Sequence, residues 1–269
     1  MYSKSKVGLV LGAGATRGLA HLGVLQVFQE HGFEFDCVAG SSVGAIFGAL
    51  YAAGIDFKWL EKLAKELKEE KLLDFAVPRW GLIRGQRIEA LVRTLIKGLS
   101  FSQLKIPLYV VAVDVEKGEL VVIEEGGVAD AVRASIAIPG IFVPKRLNGR
   151  LLVDGAVLSP VPVEVLSQRG VEKVIAVDVN YSVIEKDVGK VTNLFHLLFR
   201  SLAITGYAIS RKSLERADLV ISPDVGHLNP ARLNKVSECI EIGRQAALEI
   251  LPELKLIFNN SIDESKLIR

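Results

Sequence analysis

Short apolar runs alternate with longer amphipathic stretches along the whole chain. The runs at 7–11, 36–39, 107–114, 119–123, 150–153, 172–179 and 217–222 are rich in Val, Ile and Leu, and they predict strands. Between them, 17–31, 43–53, 57–70, 85–97, 127–135, 160–168, 193–215 and 231–251 carry apolar residues at helical spacing. Continuous rather than alternating apolar runs are what a sheet buried on both faces requires. The pattern predicts an α/β fold, a three-layer sandwich whose largely parallel central sheet is covered by helices. No repeat, low-complexity segment or linker divides the chain, so residues 1–269 read as one domain. The polar stretch 259–269 reads as a frayed tail.

Residues 56–105 break the rhythm. Both tryptophans, Trp59 and Trp80, fall here among leucines and many charged side chains. Two readings stand. One is a pair of helices packed on the sheet with a solvated outer face. The other is a mobile cap over an active site that also meets a lipid surface.

Composition narrows the function. A net charge of +2 gives no footprint for nucleic acid. The mean hydropathy of +0.35 fits a buried sheet and equally a protein that touches lipid. No apolar run approaches the roughly 20 residues of a membrane span, and the apolar start runs into a glycine turn rather than a cleavage site. The expectation is a cytoplasmic protein whose membrane contact is at most peripheral. Cys37 and Cys239 are the only cysteines, without metal or disulfide spacing. No cofactor and no metal is expected, and oligomeric state is not legible.

Three segments carry chemistry. Gly40-Ser41-Ser42-Val43-Gly44 lies between an apolar strand and a helix-forming run. It reads as a G-x-S-x-G elbow that lifts the Ser42 hydroxyl out of the sheet at a helix N-terminus. The plainer reading is a glycine-flanked turn with Ser42 as helix cap. Gly12-Ala13-Gly14-Ala15-Thr16-Arg17-Gly18 follows the first strand, and its backbone N–H groups suit an anion: an oxyanion or a dinucleotide pyrophosphate. Against the dinucleotide stands the G-x-G-x-x-x-G spacing. The nearest acid, Asp36, also opens the second strand instead of closing it. Leu151-Leu152-Val153-Asp154-Gly155 places a carboxylate at the end of an apolar strand, or simply a cap on the following turn.

In this order, the glycine loop, the elbow and the Asp-Gly pair resemble the patatin-like phospholipases. The stretches Ala134–Phe142 and Ala217–Pro223 extend the resemblance, so that it covers residues 7 to 225. The resemblance implies a patatin-like fold and a lipid acyl hydrolase with a Ser-Asp dyad. Ser42 would be the nucleophile and Asp154 its base. Within the oxyanion-hole loop of Gly12, Ala13, Gly14, Ala15, Arg17 and Gly18, backbone N–H groups near Gly14 and Ala15 would form the hole and Arg17 would help to fix the loop, with Gly40, Gly44 and Gly155 completing the motifs. The chain departs from the family pattern at Ala13 and Ala15, where glycines are usual, and at Ser159, where the family often shows Asn before a Pro. Chain order also permits a triad with His196 or His227; the resemblance favours the dyad. The implied substrate is a lipid or other ester. The competing classes are an NAD(P)-binding oxidoreductase that uses the glycine loop, and a lipid-binding regulatory protein without turnover.

Overall fold

A computed structural model describes residues 6–77, 80–180, 194–229 and 232–263, without the side chains of Phe195, His196, Phe199 and residues 260–263. Strands β1 (Val7–Leu11), β2 (Cys37–Ser41), β4 (Leu108–Asp114), β5 (Glu119–Ile123), β8 (Arg150–Asp154), β9 (Lys173–Val177) and β10 (Leu219–Ile221) fall on the apolar runs. Three short strands, β3 (Gly81–Ile83), β6 (Gly140–Phe142) and β7 (Lys145–Leu147), lie outside them. They are too short for a two-residue period to register.

The order β10-β9-β1-β2-β4 is parallel throughout. Beyond it the sheet changes sense: β5 and β8 both run antiparallel to β4, and β7 antiparallel to β8. Side chains alternate across the sheet. Leu9, Leu11, Val38, Val110, Ile175 and Val177 enter one apolar cluster, while Val10, Ala39, Val111, Val174 and Ala176 enter the other. This two-sided burial is the three-layer sandwich expected of continuous apolar strands.

The larger layer contains α1 (Leu19–Glu30), α2 (Val43–Ala52), α3 (Phe57–Glu66), α4 (Gln86–Leu95), α5 (Val128–Ser135), α8 (Val236–Glu249) and α9 (Leu251–Asp263). The opposite layer holds α6 (Val163–Ser167) and the C-terminal end of α7 (Leu194–Leu214). The helix expected at 231–251 ends at Glu249, and a new one starts with Pro252 in its first turn, where a missing N–H costs nothing. That helix carries the chain on to Asp263, so residues 259–263 of the expected tail are helical.

The segment 56–105 divides. Phe57, Leu60, Val92, Ile96 and Phe101 are buried in the main core, as packed helices require. Asp56 caps α3 by accepting from the Lys58 and Trp59 N–H groups. Between the helices, Phe75 (74%), Val77 (81%) and Trp80 (61%) stand exposed. β3 ties this stretch to the body by pairing with β6. Arg133, buried on α5, adds a second tie by donating to the carbonyls of Arg84 and Val143.

Candidate active site

The register of β4 explains how two residues 112 positions apart meet. Val111 pairs with Ser41 on one side and Val122 on the other; Ala112 pairs with Asp154 and Val121. Since β5 occupies one edge of β4, β2 and β8 share the other edge and approach each other end to end. β2 stops at Ser41 and the chain turns into α2; β8 stops at Asp154 and turns into a 3-10 helix (Gly155–Val157). The strand-end rule for parallel sheets foresaw Asp154 at this edge. In fact it arrives from the opposite direction, on an antiparallel strand.

At the meeting point the Ser42 Oγ donates to Asp154 Oδ2 at 2.7 Å. The pair is almost wholly enclosed, Ser42 at 4% exposure and Asp154 at 2%. Ser42 has φ 54° and ψ −124°, a conformation uncommon for a side-chain-bearing residue. Such strain is what aims a hydroxyl out of a strand-to-helix turn. Burial pushes the Asp154 carboxyl up to about 7, against the pull of the Ser42 hydroxyl and the Ala156 N–H. A carboxylate that titrates near neutrality and already accepts the serine proton is equipped as a general base.

The flanking glycines fit closely. A Cβ on Gly44 would stand 2.1 Å from the Leu11 carbonyl oxygen, and one on Gly40 would meet the backbone of Gly44 and Ala45. The elbow therefore packs backbone to backbone. Gly155 lies against Val111 and Ser41, where β8 meets β2.

The glycine loop lies between β1 and α1. The Gly12 N–H donates to Val177 O and the Ala13 N–H to Pro160 O, so both hold the loop to the fold. The N–H groups of Gly14 and Ala15 have no partner among the described residues, and the set of loop donors left for an oxyanion narrows to these. Gly14 is extended, at φ 172°. The left-handed position is Ala15, at φ 50°, so an alanine carries the strain where glycine would have been unstrained. Arg17 is buried and donates to the Leu228 and Gly226 carbonyls, pinning the loop to 226–228. Gly18 brings the start of α1 against Val43 of the elbow.

Four further residues support this geometry; the position of His21, one turn after the glycine loop, points to packing or a hydrogen bond there, while the roles of Ser135, Asp178 and Asn180 have no signal in motif spacing. The His21 ring is fully buried and held down at about 4 by that burial, so it is neutral. Its Nε2–H donates to the Gly12 carbonyl at 2.8 Å, and its Nδ1 has no partner among the described residues. Asn180 donates to the Ala13 carbonyl at 2.7 Å. Asp178, pushed up to about 6 by burial, accepts the Asn180 N–H. Ser135 accepts the Ser42 backbone N–H at 2.8 Å.

The histidines of the alternative triad are placed elsewhere or outside the described residues. His227 is exposed and pairs with Glu238. His196 lies on α7, and its side chain is not among those described. Direct contact between Ser42 and Asp154 leaves no imidazole between them. The acid needed for a dinucleotide is also misplaced: Asp36 accepts the Val7 N–H at the far, N-terminal end of the strands. Cys37 and Cys239 are buried, their thiols pushed up to about 11 and about 12.

Comparison with known proteins bears on the fold and the family. VipD from Legionella pneumophila shares the fold with a TM-score of 0.67 at 16% identity, over 93% of this chain and 67% of VipD. The type III effector ExoU does so at 0.53 and 16%, over 94% of this chain and 54% of its own. In sequence, an uncharacterized NTE family protein of Mycobacterium tuberculosis is 38% identical over 182 residues, 67% of this chain and 51% of that protein. A second is 30% identical over 275 residues, 92% of this chain and 47% of the relative. A lysophospholipase of Candida albicans is 31% identical over 186 residues, 66% of this chain and 13% of the enzyme. This chain thus spans about half the length of the mycobacterial relatives. The profile of the patatin-like phospholipases matches residues 9–167, from the first strand through the elbow and past the Asp-Gly pair. The chain belongs to the patatin-like phospholipase family.

Proposed function

We propose that the protein is a serine acyl hydrolase that cleaves carboxylic esters of lipids through a Ser42–Asp154 dyad. The observation that carries this reading is the 2.7 Å hydrogen bond from a strained elbow serine to a carboxyl group raised to about 7. Ser42 Oγ attacks the ester carbonyl as Asp154 takes its proton, and negative charge collects on the former carbonyl oxygen. The N–H groups of Gly14 and Ala15 stabilise that charge; donors of this kind typically contribute about 3 kcal/mol each. Asp154 returns the proton to the departing alcohol, which leaves an acyl-Ser42. Water then attacks the acyl carbon as Asp154 takes its proton; the acyl–Oγ bond breaks, Asp154 returns that proton to Ser42 Oγ, and the free fatty acid departs.

The family and the name of the Candida albicans relative support a lipid ester as substrate. Contact with a lipid surface is part of the proposal. It is supported by exposed Trp59, Phe75 and Trp80, and by Leu194, Leu197, Leu198 and Leu202 on the outer side of α7. Among the described residues no helix is long and apolar enough to cross a membrane.

Intact-mass spectrometry after fluorophosphonate treatment tests the reading. One adduct is expected on the wild type, none on Ser42→Ala, and an undiminished rate on His227→Ala. A folded wild type that takes no label, with or without lipid present, would favour a lipid-binding protein without turnover. A loss of several orders of magnitude in His227→Ala would restore the triad.

A further inference from the structure

Ser42 follows the end of β2 and Asp154 ends β8; the β4 register brings the two strand ends together, but the strands do not pair with each other and Ser42 lies beyond the last ladder pair. The last residue of α5 and the segment just after the helix reach them one each. The Ser42 N–H donates to Ser135 Oγ at 2.8 Å, and the Asp154 N–H donates to the Ala137 carbonyl at 3.0 Å. Ser135 is completely buried. The β2–β4 ladder ends at Ser41, so the next N–H, that of Ser42, loses its sheet partner at the residue where the backbone turns to positive φ. A buried N–H without a partner is costly, and strained backbone persists only where its surroundings hold it.

We propose that Ser135 is a positioning residue for acylation: its hydroxyl holds the backbone of Ser42 where the sheet lets go, and so keeps Ser42 Oγ on Asp154. Its oxygen accepts from the nucleophile's main chain, so it acts through Ser42 rather than on the substrate. This inference rests on the dyad reading above. It adds that the elbow is not self-sufficient but is completed by a side chain at the end of α5, two residues before the carbonyl that holds the base.

Ser135→Ala removes the acceptor with little change in volume. The readout is kcat and KM for a soluble short-chain ester, expressed per fluorophosphonate-titrated site, as a function of pH. A loose elbow should lower kcat by about tenfold to a hundredfold, with KM changed by less than about twofold. The acid limb should move to higher pH, because the Ser42 hydroxyl would no longer hold the Asp154 carboxyl down. Ser135→Thr, which keeps the hydroxyl, should recover most of kcat. If Ser135→Ala does not fold, Ser135→Cys keeps the size with a weaker acceptor and should show the same changes in smaller measure. Lowered thermal stability with kcat per titrated site and the acid limb both unchanged would make Ser135 a packing residue and overturn the proposal. Failure of the dyad reading looks different: the wild type itself would not label, or His227→Ala would lose its labelling, or Asp154→Asn would keep its activity.

Discussion

Asp154→Asn should fold, acylate about a hundred- to ten-thousandfold more slowly than the wild type, and yet be the more stable protein at pH 8. The two effects share one cause. Asp154 is buried at the meeting of β2 and β8, and burial holds its carboxyl at about 7, against about 3.9 in an unfolded chain. As pH rises, the unfolded chain releases this proton first. Stability from the protonated carboxyl is complete below about pH 4 and is lost progressively up to about pH 7. Asparagine has no proton to release and escapes the loss. The variant should gain about 1–4 kcal/mol on the wild type at pH 8, with the gain shrinking toward zero near pH 4. Wild-type activity has the opposite slope, since only the ionised carboxyl accepts a proton: kcat/KM should fall about tenfold per pH unit below about 7. Urea denaturation at both pH values and a pH profile with a soluble ester measure all three. A variant less stable than the wild type at pH 8 would mean that the carboxylate is better solvated than its enclosure suggests. Retained activity would remove Asp154 as the base.

Much of the site was legible in the sequence because its parts are local. The elbow is five consecutive residues whose small flanks report a turn with no room for side chains, and a Cβ on Gly40 or Gly44 would indeed run first into backbone atoms. The glycine loop and the Asp-Gly pair are likewise short, and their order along the chain carried the family resemblance. Continuous apolar runs foretold a sheet buried on both faces, and the alternation of Leu9, Val10 and Leu11 between the two apolar clusters is that burial.

What the sequence withheld is non-local. Nothing in Leu151–Asp154 shows that β8 runs antiparallel, because strand sense is set by where the connection returns. The end-to-end meeting of β2 and β8 follows from that sense alone. Ser135 lies 93 residues from the N–H it accepts and has no spacing signal. His21, one turn after the glycine loop, is expected from its position to pack or hydrogen-bond there; that its partner is the Gly12 carbonyl depends on the turn of the 3-10 helix at Ala15–Gly18. The resemblance points to the N–H groups near Gly14 and Ala15; that Gly12 and Ala13 instead bond Val177 and Pro160 depends on partners far along the chain. In 56–105 the burial of Phe57 and Leu60 followed helical spacing, while the β3–β6 pairing and the Arg133 tie depend on partners beyond position 130.

Gly44→Ala should damage both stability and catalysis more than any other one-methyl change in the elbow. Its Cβ would lie 2.1 Å from Leu11 O and 2.7 Å from Gly12 O. Both are backbone atoms, so no rotamer change relieves the overlap; α2 would have to lift away from the end of β1. Alanine's gain in helix propensity, up to about 1 kcal/mol, is too small to offset that movement. A net loss of about 3 kcal/mol or more is expected, as for other severe overpacking. The overlap falls where β1 becomes the glycine loop and α2 becomes the elbow, so lifting α2 separates Ser42 from the N–H groups of Gly14 and Ala15. A displacement of about 1 Å there should lower kcat by about a hundredfold. Gly206→Ala supplies the contrast. Gly206 lies within α7, and among the described residues its added Cβ would meet only a Pro160 side-chain atom at 3.5 Å, an ordinary contact. There the helix preference is unopposed, and a gain of about 0.5–1 kcal/mol is expected. Thermal unfolding of both variants, with kcat per titrated site, separates close backbone packing from the general effect of replacing a helical glycine. A Gly44→Ala variant as stable and active as the wild type would show that α2 has slack against β1, and that the geometry of Ser42 is set from the Ser135 side alone.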